Sequence, residues 1–232
     1  MFYSDNDVAL RADSVASVMW KVYAWMSAAL AVSAATAFSI FANPAWFKFF
    51  LGNKIVFWSV IIAEFALVIL LSAMIQRMNF FTAALSFITY AFLSGVTLSV
   101  IFAVYNLGSI TTVFAVTMCM FAAMAIFGYY TKSDLTSFGK ILIMLLIGLV
   151  ISSLINFFLQ NAFMDYIMSI IGVFVFTGLT AYDVQKIKTI ASHMIYSGES
   201  VQKIAIIGAL TLYLDFVNLF LYLLRLFGKR RD

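Results

Sequence analysis

The sequence predicts an all-α fold: a polytopic membrane protein, built as a bundle of seven transmembrane helices. Three observations carry that reading. First, the 232 residues are 65% hydrophobic and only 10% charged, whereas a soluble domain is roughly 45–50% apolar and about 25% charged. Second, long apolar runs recur along the chain; roughly 20 such residues cross about 30 Å of hydrocarbon as a helix. Third, the runs are continuous and not alternating. In lipid the backbone must satisfy its own hydrogen bonds, so these are helices and not the strands of a barrel.

Residues 1–19 form a short polar N-terminal segment carrying Asp5, Asp7, Arg11 and Asp13. It lacks the basic start and short apolar stretch of a signal peptide, so the first span is expected to remain as an anchor. Seven helices are expected at about 20–41, 55–75, 80–104, 110–130, 141–159, 166–184 and 204–226. Asn43-Pro44 contains the only proline and breaks the chain after the first of them. Gln76-Arg77-Met78-Asn79 and Asn106-Leu107-Gly108 read as tight turns. Thr131 to Lys140 and Gln160-Asn161 read as short polar loops. Gln185 to Lys203 is the longest connection and holds the only histidine, His193, expected to be an exposed loop residue. No part of the chain reads as a second domain, so a single membrane domain over 1–232 is expected.

Lys and Arg placement sets the expected orientation. With the N-terminus in the cytoplasm, Arg11, Lys21, Arg77, Lys132, Lys140, Lys186, Lys188 and Lys203 fall inside, and only Lys48 and Lys54 lie in outer loops. The tail opposes the pattern. Arg225, Lys229, Arg230 and Arg231 lie outside if all seven segments cross; they lie inside if one segment, with the seventh as the suspect, is re-entrant.

Composition excludes several chemistries. The single cysteine, Cys119, cannot form an intrachain disulfide or a metal site alone, and is expected to be a small buried apolar residue. One histidine rules out His-rich metal sites. No GxxxxGK[ST] motif occurs, so no ATP-driven cycle is indicated. The net charge of +4 comes from basic residues between apolar runs, where they contact lipid headgroups; no nucleic-acid surface is expected.

Glu64, Asp183 and Asp215 lie inside or at the edge of the apolar runs, three of only ten acidic residues. A carboxylate in hydrocarbon is costly, so it faces the bundle interior, finds a partner and marks an ion or proton route. Asp183 could also mark the inner membrane boundary beside Lys186. Eleven residues separate Asp215 from Lys203 and nine separate it from Arg225, so it cannot easily reach water. In an antiparallel pair of final helices, both aspartates fall in the inner half of the membrane. Two carboxylates together in low dielectric cannot both ionise cheaply; they share one proton and titrate as a unit. The expected result is a latch, bridged when protonated and repelling when charged. Tyr182, Tyr213, Asn156 and Asn218 add polar groups suited to interhelical hydrogen bonds, and Gly95, Gly128, Gly148, Gly172 and Gly178 suit close helix packing.

The strings Ala181-Tyr182-Asp183-Val184-Gln185-Lys186-Ile187-Lys188 and Leu212-Tyr213-Leu214-Asp215-Phe216-Val217-Asn218-Leu219-Phe220, followed by Leu223-Leu224-Arg225, resemble the transmembrane Bax inhibitor motif family, the Bax inhibitor-1-like proteins. The resemblance covers roughly residues 20–228. It implies a seven-helix protein giving a pH-sensitive calcium leak. Asp183 and Asp215 match the family's paired aspartates and Glu64 its second-helix glutamate; Arg77 is the nearest candidate for a basic residue that engages the pair as a latch. A weak calcium site drawn from Asp183, Asp215 and Glu64 follows, with calcium as the transported ion and no tightly bound cofactor. The resemblance also implies a multi-pass protein of the bacterial inner membrane with a cytoplasmic N-terminus. Its expected partners are the lipid bilayer, calcium and protons, and a membrane-bound protease that some relatives modulate.

Two other functions compete with the leak. A regulator of a membrane-bound protease or stress pathway, without transport of its own, would use the acids structurally. An intramembrane aspartyl protease also uses two aspartates sharing a proton, but such enzymes carry Gly-x-Gly-Asp, and here Leu212-Tyr213-Leu214 precedes Asp215. The chain is therefore expected not to be an enzyme.

Overall fold

The computed structural model describes residues 5–75, 77–197 and 201–231, without the side chains of 5–13, 194–197 and 201. Gln76 of the expected turn, Gly198-Glu199-Ser200 of the expected long connection, and the side chain of Arg11 lie outside that description. Eight helices follow in order: α1 (Asp5–Ala42), α2 (Pro44–Leu51), α3 (Lys54–Met74), α4 (Phe80–Val104), α5 (Leu107–Tyr130), α6 (Thr136–Leu159), α7 (Ala162–Ser197) and α8 (Val201–Phe227). All but α2 are long and apolar enough to cross a membrane. The fold is all-α.

The boundaries depart from expectation where an apolar stripe continues past an apolar run. Val18, Met19, Val22, Met26 and Ala29 are buried at helical spacing, so α1 begins well before residue 20. Val184, Ile187 and Ala191 are buried in the same way. They carry α7 as one helix to Ser197, through much of the expected connection. His193 is accordingly exposed, but helical.

The break at Asn43-Pro44 starts a helix that sequence reading missed. The Asn43 side-chain oxygen accepts from the N–H groups of Ala45 (3.0 Å) and Trp46 (3.4 Å), and Pro44 takes the first helical position, where its missing N–H costs nothing. Asn53 caps α3 similarly, through Ile55 and Val56. No residue of α2 is buried. With Trp46 and Phe49 exposed beside Lys48, α2 has the composition of an interfacial helix.

The chain divides into two compact units, Met1–Val104 with Ile187–Tyr213, and Tyr105–Lys186 with Leu214–Asp232. Both α7 and α8 contribute to each. In the first unit, Gly95 of α4 meets Ser33 and Thr36 of α1, and Gly208 of α8 meets Val22 and Ile187. Glycines lead the second unit as well. Gly128 of α5 lies against the Ala181 backbone of α7, Gly139 of α6 against the Tyr182 ring, and Gly172 of α7 against the Tyr222 ring. Small residues let helix backbones approach closely where no hydrophobic effect drives association in lipid. Gly148 is the exception to the expected packing role, with open space where a Cβ would stand. Cys119 also departs from expectation: it is exposed on α5, among other outward-facing residues such as Met118 and Val116. An apolar thiol facing lipid carries no burial penalty, so its hydrophobicity did not imply an interior position.

The residues after α8 pair with the start of α5. The N–H of Asn106 donates to the Lys229 carbonyl (3.1 Å), the Asn106 side-chain amide to the Arg230 carbonyl (3.1 Å), and the Lys229 N–H to Ser109 Oγ (2.9 Å). The 27 residues of α8 span about 40 Å and end bonded to the turn between α4 and α5; the helix is long and apolar enough to cross a membrane.

The polar hairpin ends are built from side-chain caps. Asn156, buried in α6, donates from its amide to Asp165 (3.0 Å) and accepts from the Asn161 N–H (3.0 Å). In the α5–α6 loop, Asp134 accepts from the Thr136 N–H (2.9 Å). Hydrogen bonds from Thr136 hold its carboxyl below the ordinary value. The stability linked to this cap is therefore present above the unfolded-state pKa and lost as pH falls through the folded one.

Candidate functional site

α7 and α8 run antiparallel within the second unit. The Phe176 and Tyr222 rings stack, with centroids 5.8 Å apart. Phe176 lies seven residues before Asp183 and Tyr222 seven after Asp215, so two helical turns along the same seam bring the two aspartates level. Asp183 and Asp215 are 8% and 4% exposed, and their carboxyl groups lie within hydrogen-bond reach of each other. Two ionised carboxylates are both acceptors. A hydrogen bond between them therefore requires a proton held by the pair.

Packing fixes this geometry. Phe216 and Phe220, flanking Asp215, meet Phe114 of α5 at 5.4 and 5.8 Å, and Phe216 also meets Phe121. The Asp183 end of α7 is held by Gln185, whose amide oxygen accepts from the Leu135 N–H (2.9 Å) and whose amide nitrogen donates to the Ser133 carbonyl (2.8 Å). Lys186 acts electrostatically on Asp183, while its ammonium lies 5.7 Å from the Tyr182 ring centroid. One oxygen of the pair, Oδ2 of Asp215, is buried without a hydrogen-bond partner, a costly state for a polar atom.

Glu64 has other partners. On α3 it accepts from Thr97 Oγ1 of α4 (3.2 Å). The Tyr213 hydroxyl of α8 lies 2.7 Å from Ser33 Oγ of α1; Ser33 in turn donates to the Ala91 carbonyl of α4 (2.7 Å). Tyr213 is fully buried, with Phe87 and Tyr90 edge-on to its ring. Hydrogen bonds thus join α1 to α8 through Ser33 and Tyr213, α1 to α4 through Ser33 and Ala91, and α4 to α3 through Thr97 and Glu64. Tyr213 and Asp215 are two residues apart on α8, about 200° around its axis.

One expected grouping does not form. Among the described residues, no three His, Cys, Asp or Glu side chains gather into a metal site, so Asp183, Asp215 and Glu64 do not make one calcium site; Glu64 is held instead by the Thr97 hydroxyl. Arg77 is exposed in the turn after α3, its N–H bonded to the Met74 carbonyl (2.9 Å). Asn218 bonds its own helix, at the Leu214 carbonyl (2.8 Å), and not a neighbour. Sequence reading missed Ser33 and Thr97. The available signal was weak: isolated hydroxyls in apolar runs usually bond their own helix.

Removing the Tyr213 hydroxyl tests the chain of bonds. Tyr213→Phe keeps the ring packing and should lower stability by about 1 kcal/mol, the usual worth of one such bond. Thermal unfolding in detergent reads this; an unchanged midpoint would show that the hydroxyl contributes nothing.

A chain of seven crossing helices with carboxylates buried among them belongs to the class of polytopic α-helical membrane proteins. The family model described as "Inhibitor of apoptosis-promoting Bax1" matches residues 15–232. The chain is similar to the Inner membrane protein YbhL of Escherichia coli K12, 45% identical over 229 residues, covering 98% of this chain and 97% of the relative. An uncharacterized protein of Borreliella burgdorferi is 41% identical over 212 residues, 91% of each chain. An uncharacterized membrane protein of Streptococcus pyogenes is 32% identical over 231 residues, 99% of this chain and 97% of the relative. The chain belongs to the Bax inhibitor-1 family.

Proposed function

We propose that this protein is a pH-sensitive calcium leak channel of the Bax inhibitor-1 type, with Asp183 and Asp215 as the proton-sensitive gate. One observation carries the reading: two buried carboxyls on adjacent helices within hydrogen-bond reach. When the pair holds its proton, it bridges α7 and α8. When the proton leaves, two like charges in low dielectric repel and bias a two-state equilibrium toward separation. Calcium prefers six to eight oxygen ligands, and the absence of a three-carboxylate cluster among the described residues suits weak, transient contact with the ion better than tight binding. Calcium is then the transported ion and not a resident cofactor.

The same reading places the protein in the bacterial inner membrane, as the printed name of the Escherichia coli relative favours for that protein, with the N-terminus cytoplasmic by Lys and Arg placement. Its partners are the bilayer, calcium and protons, and it is neither an enzyme nor a nucleic-acid binder. The competing reading, a regulator of a membrane-bound protease without transport, predicts no flux at any pH. Purified protein in liposomes, with external calcium and an internal calcium dye, separates the two: a leak that varies with pH supports the channel, and no flux from pH 5 to 8 removes it.

Glu64 is read as a point on the ion route and not as part of the gate. Glu64→Gln keeps hydrogen bonding to Thr97 but removes the charge. The size of the flux or its ion preference should change while its pH midpoint stays in place. A shifted midpoint with unchanged flux would assign Glu64 to the sensor instead.

A further inference from the structure

The chain ends in a cationic tail that the gate does not use. Arg225, Lys229, Arg230 and Arg231 close the sequence before the terminal Asp232, and no Asp or Glu occurs from Phe216 to Arg231 or from Tyr105 to Tyr130. The tail is pinned by Lys229 and Arg230 to Asn106 and Ser109, at the start of α5. Beside the strap is a cavity of about 420 Å³. Its lining is graded. Gly108, Thr112 and Lys229 are polar or open, while Val113, Val116 and Leu223 are apolar. Gly108 has open space where a side chain would stand. From Gly108 to Val116 the wall runs about 12 Å along α5, from the end of a membrane-crossing helix toward its middle.

We propose that this cavity binds an anionic phospholipid, with its phosphate against the Lys229 ammonium and an acyl chain along Val113, Val116 and Leu223. Charge at one end, an apolar wall leading inward and a position where two spans meet the headgroup layer fit that one occupant. A free phosphate would leave the wall bare. A zwitterionic lipid would bring its own cation to a mouth that already carries Lys229 and Arg230 on the adjacent strap. The basic tail, anomalous by charge placement alone, acquires a partner in the leaflet it faces.

The test uses the full chain in detergent, with phosphatidylglycerol, phosphatidylcholine or glycerol phosphate added in parallel. Retained lipid is read by native mass spectrometry and protection by the unfolding temperature. Phosphatidylglycerol should bind and protect more than either comparison. Lys229→Gln should weaken it about 5-fold, the worth of roughly one basic residue near an anionic surface, and Lys229→Arg should restore it. The main-chain bonds of residue 229 persist in both variants, so folding is not at stake. Val116→Trp, which fills the wall without touching charge, should also expel the lipid. Equal retention by wild type and Lys229→Gln, equal binding of phosphatidylcholine, or equal protection by glycerol phosphate would each overturn the proposal.

Discussion

Asp183→Asn and Asp215→Asn should each abolish most of the pH dependence of calcium flux while leaving the protein folded. Asparagine keeps the shape of aspartate and can donate the hydrogen bond that the shared proton otherwise provides. What it removes is titration. A pair with one neutral amide cannot pass from bridged to doubly charged, so the two-state bias loses its proton dependence. The structural cost is modest because the Phe216 and Phe220 contacts with Phe114 and the Gln185 anchors do not involve the carboxyls. About 1 kcal/mol of stability is at issue, the scale of one hydrogen bond. Calcium entry into liposomes at several pH values reads the first expectation, and thermal unfolding the second. A wild-type pH profile kept in both variants would remove the pair from the sensing role even if the protein still leaked.

The largest expected effect on stability comes from a residue without a side chain. A Cβ at Gly128 would collide with the Ala181 carbonyl and Cα, and backbone atoms of a packed helix cannot step aside as a flexible side chain can. Gly128→Ala should therefore cost about 1–3 kcal/mol, the usual range for overpacking. It should also displace α7 two residues from Asp183. Gly148→Ala provides the control. Open space surrounds that position, and alanine favours a helix over glycine by up to about 1 kcal/mol, so that variant should be neutral or slightly stabilised. Unfolding temperatures compared side by side decide the point; equal losses at both positions would show that close approach of α5 and α7 does not matter.

The membrane helices and the aspartates were legible in the sequence because both are written in local composition. An apolar run of sufficient length has few alternatives in lipid, and a carboxylate inside one stands out. Helix ends were less legible. α1 and α7 continue through polar stretches because buried residues recur there at helical spacing, a pattern that polarity masks. α2 was hidden because Asn43-Pro44 reads as a break, whereas asparagine followed by proline also starts a helix. The partners of Glu64 were not legible at all. Thr97 lies 33 residues away and Ser33 lies 180 from Tyr213, and nothing local announces which hydroxyl crosses to a neighbour. Cys119 and Gly148 were misread for one reason: in a membrane the apolar and small residues face outward as readily as inward, so hydrophobicity does not report burial.

The central claim is that Asp183 and Asp215 hold one proton between them. Infrared difference spectra of the reconstituted protein across pH measure it most directly, through the carbonyl stretch of a protonated carboxyl. The account predicts a single carboxylic acid band that titrates over the pH range in which calcium flux changes, and that disappears in Asp183→Asn and in Asp215→Asn alike. A band that persists unchanged in both variants, or two independent bands each lost with its own residue, would contradict it.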